Sequence, residues 1–325
     1  MSFSRIGDAT LSTCVIEPLR RRFRDARITF VVGEIAAGLI EPEVDAVFPY
    51  DRRSYGGLRG KLRLVRALRS GRYDLVVDLR DTAYARLLGA PCLSVRDRGR
   101  RHAVERYLDV LSRSGIATDG GRPRLHIRDD ERASANEWLR AYGIDTTKGP
   151  IVGLHPGGDW VYKLWGEHRF AAVGDAVVET HGARILVFAG PGESGLGEAT
   201  QRAMSSPCVS VDVSSLRQIA ALIEACDVYI GNDTGPLHMA DAVGTPSVAL
   251  FEPTDDIRSG PYGDRHRVIR SGLDFGCNPC HPGRRPGGCG RGFCEPLHAI
   301  DPGVVAEAAA SMLTKRTPRT TQDVV

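Results

Sequence analysis

The chain has 325 residues, 42% hydrophobic and 26% charged, with a formal net charge of +3. That length and composition suit a two-domain globular protein with ample core, and they exclude a disordered chain or a binder of nucleic acid through bulk charge. No apolar run reaches membrane-spanning length, no signal peptide is visible, and the eight cysteines fit a reducing cytoplasm better than a secreted disulfide scaffold.

The opening residues, 1–7, read as a loop. Residues 9–24 read as a helix, with Leu11, Val15, Ile16, Leu19 and Phe23 at helical spacing and Arg20, Arg21 and Arg22 in its last turns, where the dipole favours cations. A strand follows over 28–32. A βαβ unit wants a strand before that first helix and none is present, so the expectation is a missing first strand, from a start codon assigned too late. The α/β pattern continues with a helix at 35–39, a strand at 46–48, a strand at 74–78 and a helix at 82–88. Between them, residues 58–69 form a basic amphipathic helix with Leu58, Leu62, Val65 and Leu68 on one face. Arginines 52, 53, 59, 63, 66, 69 and 72 make this a dense basic stretch. It reads first as a solvated helix face and second as a docking surface for an anionic acceptor or a membrane.

Residues 91–128 read as irregular at both ends, with a helix over 103–114 and a strand at 125–127 closing the first half. A helix over 129–142, capped by Asp129 or Asp130, leads to a turn-rich linker at 143–150. The expected domains are therefore 1–145 and 150–300, followed by a helix at 302–315 and a disordered tail at 316–325.

The second half reads as strand 151–154, helix 170–180, strand 184–189, helix 216–225 capped by Ser214 or Ser215, strand 228–230 and strand 247–251. Its central stretch runs Val228-Tyr229-Ile230-Gly231-Asn232-Asp233-Thr234-Gly235-Pro236-Leu237-His238-Met239-Ala240. Apolar β-formers give way to turn residues. Thr234 or Gly235 is expected to cap a helix whose first turn tolerates Pro236 and which stops at Gly244. Free N–H groups at the start of that helix would make an anion site at the carboxyl end of a parallel sheet.

Four motifs in this order resemble those of the ADP-heptose:lipopolysaccharide heptosyltransferases, glycosyltransferase family 9. They are Phe3-Ser4-Arg5-Ile6-Gly7-Asp8; His155-Pro156-Gly157-Gly158 with Trp160, Lys163 and Trp165; Gly190-Pro191-Gly192-Glu193; and Asp233-Thr234-Gly235-Pro236-Leu237-His238. The resemblance implies an α/β fold of GT-B type, two Rossmann-like doubly wound domains facing across a cleft. The N-terminal domain would bind the acceptor and the C-terminal one the nucleotide sugar. It implies an inverting, metal-independent transfer of a heptose or related sugar from an ADP-sugar to a glycan or glycolipid acceptor. The work would be cytoplasmic, with contact at the inner membrane surface, without nucleic acid and without a cofactor for catalysis.

The chemistry agrees with these residue types. Sugar transfer needs a base on the acceptor hydroxyl and positive charge at the departing diphosphate. Asp8 is the expected base, with a helix cap as its alternative role. Lys163 is the expected counter-charge, Glu193 the ribose acceptor, and Gly157, Gly158, Asp233, Thr234, Gly235, Pro236, Leu237 and His238 the rest of the donor site; a packed structural histidine is an equal reading of His238. Separately, Cys277, Cys280, Cys289 and Cys294, with His281 and His298 nearby, punctuate a Pro-, Gly- and Arg-rich loop at 277–298. Reduced thiols in a mobile loop and a structural zinc or iron–sulfur cluster are the two readings. A non-catalytic metal- or nucleic-acid-binding protein on the same scaffold, or a glycosyltransferase of a different sugar nucleotide, is the alternative function.

Overall fold

Residues 5–96, 99–190, 192–273, 280 and 292–314 are described in the computed structural model. The chain divides into two units, Met1–His126 and Ile127–Val325. Residues 127–150, expected to close the first domain and form the linker, therefore belong to the second unit.

In the first unit the expected helix over 9–24 is two helices, α1 (Ile6–Ser12) and α2 (Ile16–Arg22), joined by a 3-10 turn at Thr13–Val15. Pro18 has no N–H to bond the Cys14 carbonyl, so an uninterrupted α-helical ladder cannot run through this point. Ser12 and Thr13 also turn their hydroxyls back onto the Ala9 and Thr10 carbonyls, each at 2.7 Å. Next come β1 (Thr29–Gly33), α3 (Glu34–Ile40), β2 (Ala46–Tyr50), α4 (Arg52–Tyr55), α5 (Gly57–Arg69), β3 (Val76–Asp78), a 3-10 helix at Ala83–Leu88, β4 (Cys92–Ser94) and α6 (Ala103–Ser112). β1 pairs with β2 and β3 with β4, both in parallel. The strand expected at 125–127 is absent among the described residues. Its backbone is held by side chains instead: Arg124 N–H donates to Thr13 Oγ1 at 2.9 Å and His126 N–H to Glu43 Oε1 at 2.7 Å.

The buried face of α5 differs from the expected one. Gly60, Leu64, Val65 and Leu68 are buried, whereas Leu58 and Leu62 are 77% and 60% exposed. Gly60 decides this. A Cβ there would lie 2.5 Å from the Tyr55 backbone, so only glycine lets α5 close against α4, and the Gly60–Leu64–Leu68 stripe turns inward.

The second unit runs α7 (Asp129–Ala141), β5 (Ile151–His155), α8 (Glu167–His181), β6 (Arg184–Phe188), α9 (Ser194–Ala203), β7 (Cys208–Val211), α10 (Leu216–Glu224), β8 (Val228–Asn232), α11 (Gly235–Val243), β9 (Ser247–Leu250), α12 (Asp256–Ser259), β10 (His266–Ile269), α13 (Glu295–His298) and α14 (Pro302–Leu313). Its six strands form one parallel sheet in the order β10-β9-β8-β5-β6-β7. The central strands are buried along their whole length, as a parallel sheet with helices around it requires. Val152, Leu154, Val228, Ile230, Val248 and Leu250 join Trp165, Phe170 and the apolar side of α14 in one core.

Neither Asp129 nor Asp130 caps α7. Arg128 is the cap residue, and Glu131, three positions on, accepts the Arg128 N–H at 2.8 Å. The same carboxylate takes the Arg217 guanidinium of α10 in a forked pair, with Nε to Oε1 at 2.8 Å. The Arg217 hydrogen bond, helped by the Arg128 contacts and opposed by burial, holds the Glu131 carboxyl down at about 2 instead of 4.5. A depressed folded-state pKa stabilises above the unfolded value and loses that contribution as pH falls through the folded one. Glu131→Gln is therefore expected to lower unfolding free energy by about 1.5–3 kcal/mol near neutrality. Denaturant titrations should show the wild-type advantage shrinking as pH falls from 4.5 toward about 2; an advantage independent of pH would contradict the charged pair.

Candidate active site

The chain leaves β5 toward β6 and β7 on one side and returns through β8, β9 and β10 on the other. The order of strands therefore reverses between β5 and β8, and ligands of such sheets bind beyond the carboxyl ends of the strands at that point. β5 ends in His155 and β8 in Asn232. The loops that follow these two strands, and the one after β6, carry the second-unit motifs.

Asp233 is the centre. Its side chain is buried, and Lys163 Nζ lies 2.9 Å from its Oδ2 while also donating to its main-chain carbonyl at 2.9 Å. His238 Nε2, one turn into α11, lies 3.5 Å from Oδ1. Burial alone would raise the Asp233 pKa. The His238 hydrogen bond and the Lys163 charge outweigh it, and the carboxyl sits well below the usual carboxylate range. Asp159 Oδ1 is also 3.9 Å from Lys163 Nζ.

His155 forms a second hub. Its Nε2 is 3.2 Å from Glu193 Oε2 and its Nδ1 is 3.1 Å from Thr234 Oγ1. Glu193 Oε2 also accepts the Gly190 N–H at 2.8 Å. Burial works against the Glu193 carboxylate, but His155 and backbone N–H groups hold its pKa below the ordinary value. Thr234 is the cap residue of α11, yet its hydroxyl lies toward His155 and the Asn232 carbonyl and makes no capping bond. The first-turn N–H groups of α11 thus have no side-chain cap, the arrangement that accepts an anion.

Gly157 and Gly190 let the loops close around Glu193: a Cβ at Gly157 would lie 2.2 Å from Glu193 Oε2, and one at Gly190 2.8 Å. A Cβ at Gly158 would meet Leu164 Cδ2 at 3.1 Å, a milder contact. Asn232 Nδ2 donates to the Pro156 and Gly157 carbonyls, both at 3.0 Å. Two buried polar atoms here, Asn232 Oδ1 and His238 Nδ1, have no hydrogen-bond partner among the described residues. Behind Lys163, Trp165 is fully buried and its indole N–H donates to the Ile300 carbonyl at 3.3 Å. His298 Nε2 lies 3.0 Å from the Leu164 carbonyl. The segment entering α14 thus braces the loop that aims the lysine.

Gly157, Gly158, Lys163, Glu193, Asp233 and Thr234 on the loops after β5, β6 and β8, and Gly235, Pro236 and His238 in the first turn of α11, therefore lie at one end of the sheet. Leu237 is fully buried, so its side chain is packed inside the fold. Asp8 lies in the first unit. It is the third residue of α1, whose cap is Arg5, so the capping role does not apply. Arg80 lies 4.0 Å from it. Arg80 is placed by the buried Asp78, which accepts the N–H groups of Arg80 and Thr82. Sequence reasoning did not single out Arg80, Asn232 or the bridging role of His155. A polar residue ending an apolar strand, as in His155 and Asn232, was the available signal.

The four-thiol site is not assembled among the described residues. Cys277 and Cys289 lie outside them, as do His281 and the 316–325 tail. Cys280 N–H donates to the Pro253 carbonyl at 2.7 Å. Cys294 is buried beside Leu297 and Ile300. No group of three or more His, Cys, Asp or Glu side chains is arranged for a metal among the described residues.

Residues 92–286 match the model of glycosyltransferase family 9 (heptosyltransferase). Lipopolysaccharide heptosyltransferase 3 of Escherichia coli K12 is 27% identical to the chain over 290 residues, covering 79% of the chain and 82% of that protein. The glycosyl transferase family 9 structure from Veillonella parvula DSM 2008 matches with a TM-score of 0.82 at 23% identity, over 97% of this chain and 96% of that one. The E. coli ADP-heptose lps heptosyltransferase II structure matches with a TM-score of 0.74 at 22% identity, over 97% and 99%. These likenesses give the fold class, α/β of GT-B type.

Gly157→Ala tests the packing of the loops. Forcing a methyl against the Glu193 carboxylate is expected to lower stability by about 1–3 kcal/mol and to move Glu193 off His155 in a crystal structure of the variant. An unchanged unfolding midpoint with Glu193 in place would contradict this packing.

Proposed function

The chain belongs to glycosyltransferase family 9 (heptosyltransferase), and from that premise we propose that it moves a heptose, or a related sugar, from an ADP-activated donor to a hydroxyl of a glycan or glycolipid acceptor. The proposed setting is lipopolysaccharide-core or other glycoconjugate synthesis in the cytoplasm. The names of the relatives support the sugar and the pathway, and the E. coli heptosyltransferase II is named for ADP-heptose.

The observation that carries the reading is Lys163 held 2.9 Å from Asp233 beside the uncapped start of α11. An ammonium has three N–H bonds. Asp233 takes two, through its carboxylate and its carbonyl, and the third remains for a phosphate oxygen. As the bond between the anomeric carbon and the diphosphate oxygen breaks, negative charge gathers on ADP. The Lys163 ammonium and the α11 amides stabilise that charge where it develops. Glu193 Oε2 is engaged by His155 and Gly190, and its Oε1 is proposed to accept hydrogen bonds from the ribose hydroxyls. Asp8 is proposed to take the proton of the acceptor hydroxyl as its oxygen bonds to the anomeric carbon from the opposite side. One displacement of this kind inverts the anomeric centre. Arg80 is proposed to position Asp8.

The two roles separate in one experiment, measuring ADP affinity and transfer rate side by side. Lys163→Ala should weaken ADP binding about tenfold or more, since a charge-assisted hydrogen bond contributes about 1.5–3 kcal/mol. Asp8→Asn should keep ADP affinity and lose about 10²–10⁴-fold in transfer at saturating donor, the usual range for a general base. Near-wild-type turnover in Asp8→Asn would remove Asp8 as base. Wild-type protein that binds ADP and transfers no sugar from any ADP-sugar would overturn the transferase reading.

A further inference from the structure

Thr234 does not do what its type and place predict. It stands at the cap position of α11 with an extended backbone, φ −141° and ψ 172°, where a threonine hydroxyl ordinarily accepts the N–H of the second or third helical residue. Pro236, the second, has no N–H, so the donor left for such a cap is Leu237. No capping bond is formed. The hydroxyl lies instead 3.1 Å from His155 Nδ1 and 3.3 Å from the Asn232 carbonyl, to which it can donate.

The Asn232 carbonyl belongs to the same turn as Thr234. His155 belongs to a different strand, and its ring is fixed from the far side. It is the last residue of β5 and is buried. Its Nε2 lies 3.2 Å from Glu193 Oε2. A carboxylate only accepts, so Nε2 carries a hydrogen toward it. The same oxygen takes the Gly190 N–H at 2.8 Å. One imidazole therefore has two edges with two tasks. Nε2 orients the carboxylate of the β6 loop, and Nδ1 draws the hydroxyl of the β8 loop away from the helix. A hydroxyl seated on the Leu237 N–H would compete with an anion for that donor, and a helix start offers few of them.

We propose that His155 is a positioning residue for the diphosphate: by holding the Thr234 hydroxyl off α11 it keeps the Leu237 N–H for a phosphate oxygen, and through its other nitrogen it sets the Glu193 carboxylate. The inference rests on the reading of this site as the ADP site and adds to it a residue that acts through two others.

Two substitutions separate the edges of the ring. A glutamine amide ends as many bonds from Cα as Nε2, so His155→Gln keeps a donor for Glu193 and loses the hold on Thr234. An asparagine amide ends as far out as Nδ1, so His155→Asn keeps the hold on Thr234 and loses Glu193. Affinities of the full chain for ADP and for adenosine are measured by calorimetry, with circular dichroism as the check on folding. His155→Gln should weaken ADP about fivefold, the equivalent of one helix cap turned back onto its own N–H, and leave adenosine unchanged. His155→Asn should weaken both ligands in parallel and keep their ratio. Adding Thr234→Val to His155→Gln removes the competing hydroxyl and should return most of the lost ADP affinity. A histidine that only packs the loops predicts neither the split nor the recovery. In the wild type, ADP should also shift the Leu237 amide resonance, a readout that depends on no variant; an unmoved resonance in the ADP complex would overturn the proposal. So would equal ADP affinity in wild type and His155→Gln, or no recovery in the double variant, and each of these leaves the ADP-site reading in place. Wild-type protein that does not bind ADP would overturn that reading and the inference with it.

Discussion

A buried carboxylate governs the second unit. Taking an ionised group out of water costs several kcal/mol unless opposite charge and hydrogen bonds meet it. Asp233 is 6% exposed, and its compensation comes from two places in the sequence: Lys163, seventy positions upstream, and His238 in the helix that follows. The pair fixes the loop after β5 against the start of α11. That loop needs the glycines that clear Glu193, the Asn232 amide that holds its carbonyls, and the Trp165 and His298 contacts that brace it from the C-terminal segment. Removing Lys163 would leave the Asp233 charge buried with the His238 contact but without its ammonium partner, so the residue proposed to meet the diphosphate is also one that the loop needs in order to close.

The sheet explains why these groups meet at one end. Parallel strands place all their carboxyl ends together, and the strand order reverses between β5 and β8. His155, the last residue of β5, touches Glu193 from the β6 loop and Thr234 from the β8 loop. By drawing the Thr234 hydroxyl to itself, it leaves the α11 amides without a side-chain cap. In the first unit a smaller version of the same device operates. Asp78, buried at the end of β3, ties down the turn that carries Arg80, and Arg80 in turn reaches toward Asp8.

Much of this was legible because the central strands are continuous apolar runs bounded by turn residues. Val228–Asn232 and Gly235–Val243 could be drawn from Tyr229, Pro236 and Gly244 alone, and α14 was read from its observed start to two residues past its observed end. Edge elements were harder. β4, β7 and β10 are three or four residues long and only partly buried, so periodicity carries little signal there. The face of α5 was misread because four apolar positions at helical spacing outweigh a glycine in any pattern count, while in the structure Gly60 sets the contact. The α7 cap was misread because Arg128 is a poor cap by type; Glu131 supplies the reciprocal bond, and its pairing with Arg217 is a tertiary fact.

The central claim is that this site is built for a diphosphate, with Lys163 and the α11 amides as its charged half. Calorimetric titration of the wild-type chain with ADP and with adenosine, at matched salt, tests it most directly. The account predicts that ADP binds about a hundredfold tighter than adenosine or more, because at least one charge-assisted and one backbone contact depend on the phosphates. Equal affinity for the two would contradict it.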